Sequence, residues 1–433
     1  MCSNGCGEFP MILSDAELIL GLSRHLGAYA RSAETASLDT LQAAGWIVDM
    51  AFRLRGNTSS TPDRVWAIGM DIGLGQRDLQ FVIAKMEALG WLAVDRDQQR
   101  KPLSVIEAIP APADLVKATP KILQACDANP SDYALLELLR ATTLQPLLLT
   151  EALAVAAQGT SEQSANDAVR RLLAVGLLRD VQTDSGRVLY NPNVWTQGDE
   201  IAKAAIRTAD AKATSEVRAL LEELAEQPGL PEANVKSTEP RWINFAVAQG
   251  LIQRSVIQTS EGDEQGFLFT PHLLRDPFGG TAGDASGQVR QLVGSMVYAA
   301  TFARYKLKDP GLFLTRLIEN GLAGDVTSIG TDYPMLEKAG IVKVVPGSRV
   351  NRFRLELLRA DVAEEAAKLL TVRGNSSGSN DDIAAVRAQR AYVHVERQRA
   401  RLAVSAEADD VEQQRLLAAL REVTAERTFR GGN

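Results

Sequence analysis

Four glycines, each ending an apolar helical stretch and starting a short strand, limit what this chain can fold into more than any other feature. The fullest example spans 167–195, where Val169, Leu172, Leu173 and Val175 recur at helical spacing and Gly176 follows. Glycine enters the left-handed conformation that closes a helix without a steric penalty, so it marks the boundary. Leu177-Leu178-Arg179-Asp180-Val181 then alternates as a strand, Thr183-Asp184-Ser185-Gly186 is turn chemistry, and Arg187-Val188-Leu189-Tyr190 returns. The same order is written at 81–95 around Gly90, at 242–254 around Gly250 and at 335–344 around Gly340. These markers stand roughly 75–90 residues apart, a small-domain length. The third copy also shares its exit with the second, Phe267-Leu268-Phe269-Thr270-Pro271 matching Val188-Leu189-Tyr190-Asn191-Pro192. A lone two-stranded hairpin is marginal in water, so each copy needs helices packed on it, and four divergent repeats are the economical reading.

The flanking pattern supplies those helices. Ser14 with Glu17 three residues on is a capping box. The spacing predicts a helix over 40–55 with Trp46, Ile47, Met50 and Leu54 inward, a further element at 65–70, and a helix over 76–89. A turn at 95–101 and a return strand at 104–109 complete the first repeat, and Pro110-Ala111-Pro112-Ala113 marks its boundary. A helical connector at 114–128 leads to helices at 133–141 and 147–157, and Ser161 caps the helix before Gly176. The Ala-rich stretch 200–225 reads as one long helix and Leu230-Pro231-Glu232-Ala233 as another. Small residues at 279–287 form a loop, and helices follow at 288–306, 310–320 and within 326–338. A tight hairpin at 343–355 and a closing helix at 357–370 end the body. Gly374-Asn375-Ser376-Ser377-Gly378-Ser379-Asn380 is linker chemistry. Beyond it, 381–427 reads as one or two polar helices, with Leu416, Leu420 and Val423 as a thin stripe suited to a coiled coil or a docking helix. The expected class is α+β, mainly helical with small β-hairpins and a helical tail, divided at 1–110, 111–198, 199–278, 279–372 and 373–433.

The chain is 45% apolar and only 5% aromatic, which places it among globular, helix-leaning proteins. No apolar run approaches the roughly 20 residues that cross a bilayer, and Met11-Ile12-Leu13 is too short for a secretory signal. A cytoplasmic protein without membrane contact is expected. Cys2 and Cys6 form a C-x3-C pair, with His25 and Cys126 as conceivable further ligands, but the second closely spaced pair of a structural zinc site is missing. No metal or other cofactor is expected. Gly69-Met70-Asp71-Ile72-Gly73-Leu74-Gly75 lacks the Gly-Lys-Ser/Thr end of a phosphate loop, and neither H-E-x-x-H nor G-x-S-x-G occurs. The three histidines, His25, His272 and His394, stand in unrelated contexts, so catalysis is not expected. A net charge of −7 argues against a uniformly basic nucleic-acid coat and leaves only local basic surfaces.

Through its four helix-Gly-strand-turn-strand motifs, the chain resembles the winged-helix superfamily across about residues 40–370. The resemblance implies tandem winged helix-turn-helix modules in which the helix before each marker glycine enters a major groove and the wing touches phosphate or minor groove. It equally implies protein docking, as in chromosome-organising or defence complexes, because fold alone does not decide. The candidate contacts to double-stranded DNA are Arg77, Arg100 and Lys101 in the first module, and Gln163, Asn166, Arg170, Arg171 and Arg187 in the second. The fourth contributes Lys343, Arg349, Arg352 and Arg354, with Arg352 and Arg354 on one strand face and Phe353 and Leu355 turned to the core. Glu261, Asp263 and Glu264 make the third wing acidic and repellent to phosphate. Trp91 and Trp242 are expected in the core. Arg387, Arg390, Arg397, Arg399 and Arg401 form a basic tail that tracks a phosphate backbone or is the polar face of a partner or self-association helix. The leading expectation is a non-enzymatic DNA-binding regulator or DNA-engaging component of an assembly. The alternative is a protein-binding scaffold or accessory subunit.

Overall fold

The computed structural model describes residues 14–29, 32–56, 58–99, 101–144, 146–158, 160–183, 186–191, 211–248, 252–259, 264–270, 287–303, 306–329, 333–373, 389–394, 396–398 and 401. Among them one order of elements, helix, short strand, helix or turn, helix and two-stranded hairpin, recurs three times, and a fourth unit repeats it apart from the element after its short strand. In the first unit it is Asp39–Leu54, Ser59–Ser60, Pro62–Ile72, Gln76–Ala88, Leu92–Arg96 and Pro102–Glu107. The second runs Pro130–Leu144, Leu147–Leu148, Leu149–Ala156, Glu162–Ala174, Arg179–Thr183 and Gly186–Tyr190. The third runs Ala211–Glu226, Leu230–Pro231, the 3-10 turn Glu232–Asn234, Pro240–Ala248, Gln253–Thr259 and Glu264–Phe269. In the fourth, Pro310–Asn320 and the strand Leu322–Val326 precede the short helix Pro334–Lys338 and the hairpin strands Val342–Pro346 and Phe353–Leu357.

Every return strand lies in the middle of its small antiparallel sheet, paired with the hairpin's first strand on one side and the short strand on the other. Each return strand has a buried residue in register with both neighbours. Val105 faces Ser60 and Val94, Val188 faces Leu148 and Val181, Phe267 faces Pro231 and Ser255, and Leu355 faces Ala323 and Val344. All four are buried, which makes them the equivalent core positions of the four repeats.

Local chemistry explains most boundaries. Ser14 and Glu17 cap the helix Asp15–Leu26 reciprocally, Thr61 caps Pro62–Ile72 with Pro62 in its first turn, and Ser161 accepts from the Ser164 amide. Gly90, Gly176 and Gly340 are all left-handed, with φ of 73°, 67° and 70°. Gly250, the turn residues Glu261 and Asp263, the linker 374–380, Leu416, Leu420 and Val423 lie outside the described residues.

Several expectations are corrected. The connector is two helices, Pro112–Lys117 and Thr119–Ala125, because Pro120 cannot continue the first one. Leu230–Pro231 is a sheet-edge strand rather than a helix, whereas the helix expected within 326–338 is present as Pro334–Lys338, after a strand Leu322–Val326 that pairs with the return strand. The tail is not helical where it is first described. Gln389–Val393 is a strand added to Gln253–Thr259, with Tyr392 and Val393 buried. On the helix before Gly176, Leu172 is fully buried and Leu173 only half-buried.

Two apolar cores result. Units 1 and 2 share one with Asp15–Leu26, and the other joins the third unit's sheet to the fourth unit, to Gln288–Thr301 and to Ala360–Arg373. Asp15–Leu26 crosses Asp39–Leu54 at Gly45, where a Cβ would overlap the Ile19 carbonyl. Gln288–Thr301 is buried on every side from Gln288 to Ala299, as befits the central helix of a layered half. No helix among the described residues is long and apolar enough to cross a membrane.

Candidate nucleic-acid interface

In the first unit Leu79, Val82 and Met86 turn the helix Gln76–Ala88 inward, leaving Arg77, Gln80, Phe81 and Ala84 on the open face. Lys85 lies 5.3 Å from the centre of the Phe81 ring and 3.6 Å from Asp127. In the hairpin, Arg96 forks onto Glu87 at 3.0 and 2.8 Å, and Asp97 closes the turn by accepting from the Gln99 and Lys101 amides at 2.8 Å each. Lys101 is exposed, and Arg100 lies outside the described residues.

The second unit presents Gln163, Asn166 and Arg170 from Glu162–Ala174, whose Ala165, Ala168, Val169 and Leu172 are buried. Asn166 donates to the Glu162 carbonyl at 2.9 Å, and Arg170 pairs with Asp167 at 2.9 Å. Arg171 does not join this face; its guanidinium donates back to the Ser37 carbonyl at 3.4 Å. On the hairpin, Arg187 is bound to Asp180 at 2.7 Å.

The third unit exposes Arg241 and Asn244, but Arg241 stacks 4.8 Å over a half-buried Trp242 and pairs with Glu239 at 3.0 Å. Trp91, in contrast, is core.

The fourth unit departs furthest from its sequence reading. Met335, Leu336 and Ala339 are buried, and Pro334–Lys338 docks on Pro62–Ile72 of the first unit. Arg64 donates to the Glu337 carbonyl at 3.3 Å, and Lys338 stands 3.8 Å from Asp71. Gly340 sits so close that a Cβ would overlap the Arg53 carbonyl. This helix therefore has no face to offer a groove. The arginines expected to project from the hairpin converge on Asp325 of the neighbouring strand: Arg352 donates to its carbonyl at 2.8 Å, and Arg354 lies 3.7 Å from its carboxylate. Bonds from Ser348, with Arg354 and Arg352 nearby, hold the Asp325 carboxyl below its ordinary range despite a small opposing effect of burial. Leu355 is buried and Phe353 half-buried, as the alternation requires. Lys343 and Arg349 are exposed, with no carboxylate partner among the described residues.

In the tail, residues 396–398 and 401 are helical, and the described arginines are partly engaged by the body. Arg390 belongs to the added strand, Arg397 is half-buried, and Arg401 pairs with Glu264 at 3.3 Å. Arg387 and Arg399 lie outside the described residues.

A buried ionic cluster between the two halves has no counterpart in the sequence reading. Asp49 accepts from Arg24 at 3.1 Å and from Arg53 at 2.8 Å, and Arg53 reaches Asp71 at 2.6 Å and the His394 Nε2 at 3.2 Å. Burial alone would raise the Asp49 carboxyl, but Arg24 and Arg53 outweigh it and hold the group well below the carboxylate range. Nearby, Arg359 bonds Asp361, the Phe52 carbonyl and Gln288, tying the first unit to the second half. Its neighbourhood is structural, so this cation is not available to DNA.

His25 donates from Nε2 to the Val175 carbonyl at 2.7 Å, and burial pushes the Cys126 thiol up to about 11. Both are packing groups of the first core. Among the described residues no His, Cys, Asp and Glu cluster is arranged to hold a metal ion. No family model matches the sequence, and no curated protein matches it.

Proposed function

We propose that the four units are tandem winged-helix modules and that the chain is a non-enzymatic scaffold or accessory subunit whose modules bind protein. The observation that carries this reading is the docking of Pro334–Lys338, the fourth unit's counterpart of a groove-reading helix, on the helix Pro62–Ile72. Charge points the same way. Arg96, Arg170, Arg187 and Arg354 each stand by a carboxylate of their own unit, on a chain of net charge −7. A guanidinium already bound to a carboxylate has less to gain from phosphate. Only three cysteines in 433 residues, one of them a buried thiol, fits a reducing compartment such as the cytoplasm.

A second reading, duplex DNA binding, is favoured by the open helix of the second unit, where Gln163, Asn166 and Arg170 share the exposed side behind a Ser161 cap. Arg77, Lys101, Lys343 and Arg349 would add phosphate contacts. A generic-duplex titration across a salt series separates the two. The scaffold reading expects binding no tighter than about 10⁻⁶ M at physiological salt. Nanomolar affinity falling steeply with salt, and weakened by Arg77→Ala with Arg349→Ala, overturns it in favour of DNA.

A further inference from the structure

The hairpin strands Leu92–Arg96, Arg179–Thr183 and Val342–Pro346 each pair on one side only among the described residues, but their counterpart Gln253–Thr259 pairs on both. Its second partner is the tail strand, antiparallel, with Tyr392 facing Ile257 and Val393 facing Val256. A sheet edge is a template for exactly one more strand, and here the chain's own tail fills it. The chain then turns at His394, whose ring meets Tyr392 edge-on at 5.0 Å and whose Nε2 faces Arg53 at 3.2 Å. Gly287, left-handed at φ 71°, packs on the ring so closely that a Cβ would come 2.7 Å from Nδ1. Gln398 is buried beyond it, and Arg401 reaches Glu264 on the hairpin.

A guanidinium has donors and no acceptor, so the nitrogen facing Arg53 must carry a lone pair and the imidazole must be neutral. The charged groups that face it are Arg24 from Asp15–Leu26, Asp49 and Arg53 from Asp39–Leu54, and Arg290 from Gln288–Thr301. Asp49, the one carboxylate among them, is already bonded to both Arg24 and Arg53. We propose that residues 389–394 are a proton-released clasp: protonation of His394 sets a cation against Arg53, Arg24 and Arg290, frees the tail strand and uncovers the edge of Gln253–Thr259. Burial, then Arg24, pushes this imidazole well below its ordinary 6.5 in the closed state, whereas the released tail restores that value. The open state thus binds a proton that the closed state does not. Closing weakens about tenfold for each pH unit below roughly 6.5 until the depressed value is reached.

Hydrogen–deuterium exchange on the full chain between pH 8 and pH 5.5, corrected for intrinsic rates, tests the clasp. Protection in Gln253–Thr259 and Gln389–Val393 should fall about tenfold per pH unit below roughly 6.5, while Glu162–Ala174 stays protected. His394→Gln keeps a neutral acceptor for Arg53 and should flatten that profile. His394→Lys, a fixed cation, should leave both strands exchanging fast at pH 8. The same pH profile in wild type and His394→Gln, or a simultaneous loss of protection along the whole chain, would overturn the proposal.

Discussion

Asp49 sits between two guanidinium groups in a place where water cannot replace either partner. Desolvation consumes much of the attraction in such a buried arrangement, yet removing one member leaves the others uncompensated. Asp49→Asn should therefore lower stability by about 3–5 kcal/mol in urea denaturation. Asp180→Ala, which breaks the exposed pair with Arg187, should change it by less than about 1 kcal/mol. Equal effects would mean that the Asp49 cluster is solvated. The pH dependence follows from the same bonds. The unfolded carboxyl takes its proton near 3.8, and the native one resists until far lower pH, so Asp49 contributes stability that is lost progressively as pH falls below about 4. The sequence does display this pair, an acid and a base four residues apart beside Ile47, Met50 and Leu54. A charge within a helix's apolar stripe is the signal, and it names no partner: Arg24, Asp71 and His394 come from elsewhere in the chain.

At the scale of elements, period and punctuation were readable and pairing was not. The helix Glu162–Ala174, its Ser161 cap and the hairpin behind Gly176 follow from 3.6-residue spacing, a short polar acceptor and a left-handed glycine, all of them local causes. The two-residue strands Ser59–Ser60, Leu147–Leu148 and Leu230–Pro231 have no period at all and exist only because a return strand lies beside them. For the same reason Gln389–Val393 reads as part of a polar helix until the open edge of Gln253–Thr259 is supplied. Within the second unit's helix, the period alone ranks Leu172 and Leu173 together, whereas the packed neighbours separate them. Leu172→Ala should cost about 2–5 kcal/mol, the range for a core leucine truncation, and Leu173→Ala distinctly less. Urea midpoints shifted in the opposite order would show that the helix is rotated about its axis.

For the whole molecule, the question is what holds two separately cored halves together. Each core closes on its own repeats, and among the described residues the bonds crossing between them include Arg53 with His394, Arg64 with Glu337, Asp71 with Lys338, and Arg359 with the Phe52 carbonyl. The tail takes part in both the second core, through Tyr392, and the junction, through His394. A linker-like composition before residue 381 argues for a separable tail, since few buried contacts should cross such a stretch, but Tyr392, Val393 and Gln398 are buried in the body. Truncation after Arg373 should therefore not be neutral. It strips the apolar pair Tyr392 and Val393 from the second half's sheet, so calorimetry should show the second half unfolding at lower temperature while the first core, which no described tail residue enters, is shifted less. Tyr392→Ser with Val393→Ser in the full chain should move the same transition in the same direction. Unchanged transitions in both variants would mean that the tail strand rests on the sheet without stabilising it, and the boundary suggested by composition would stand.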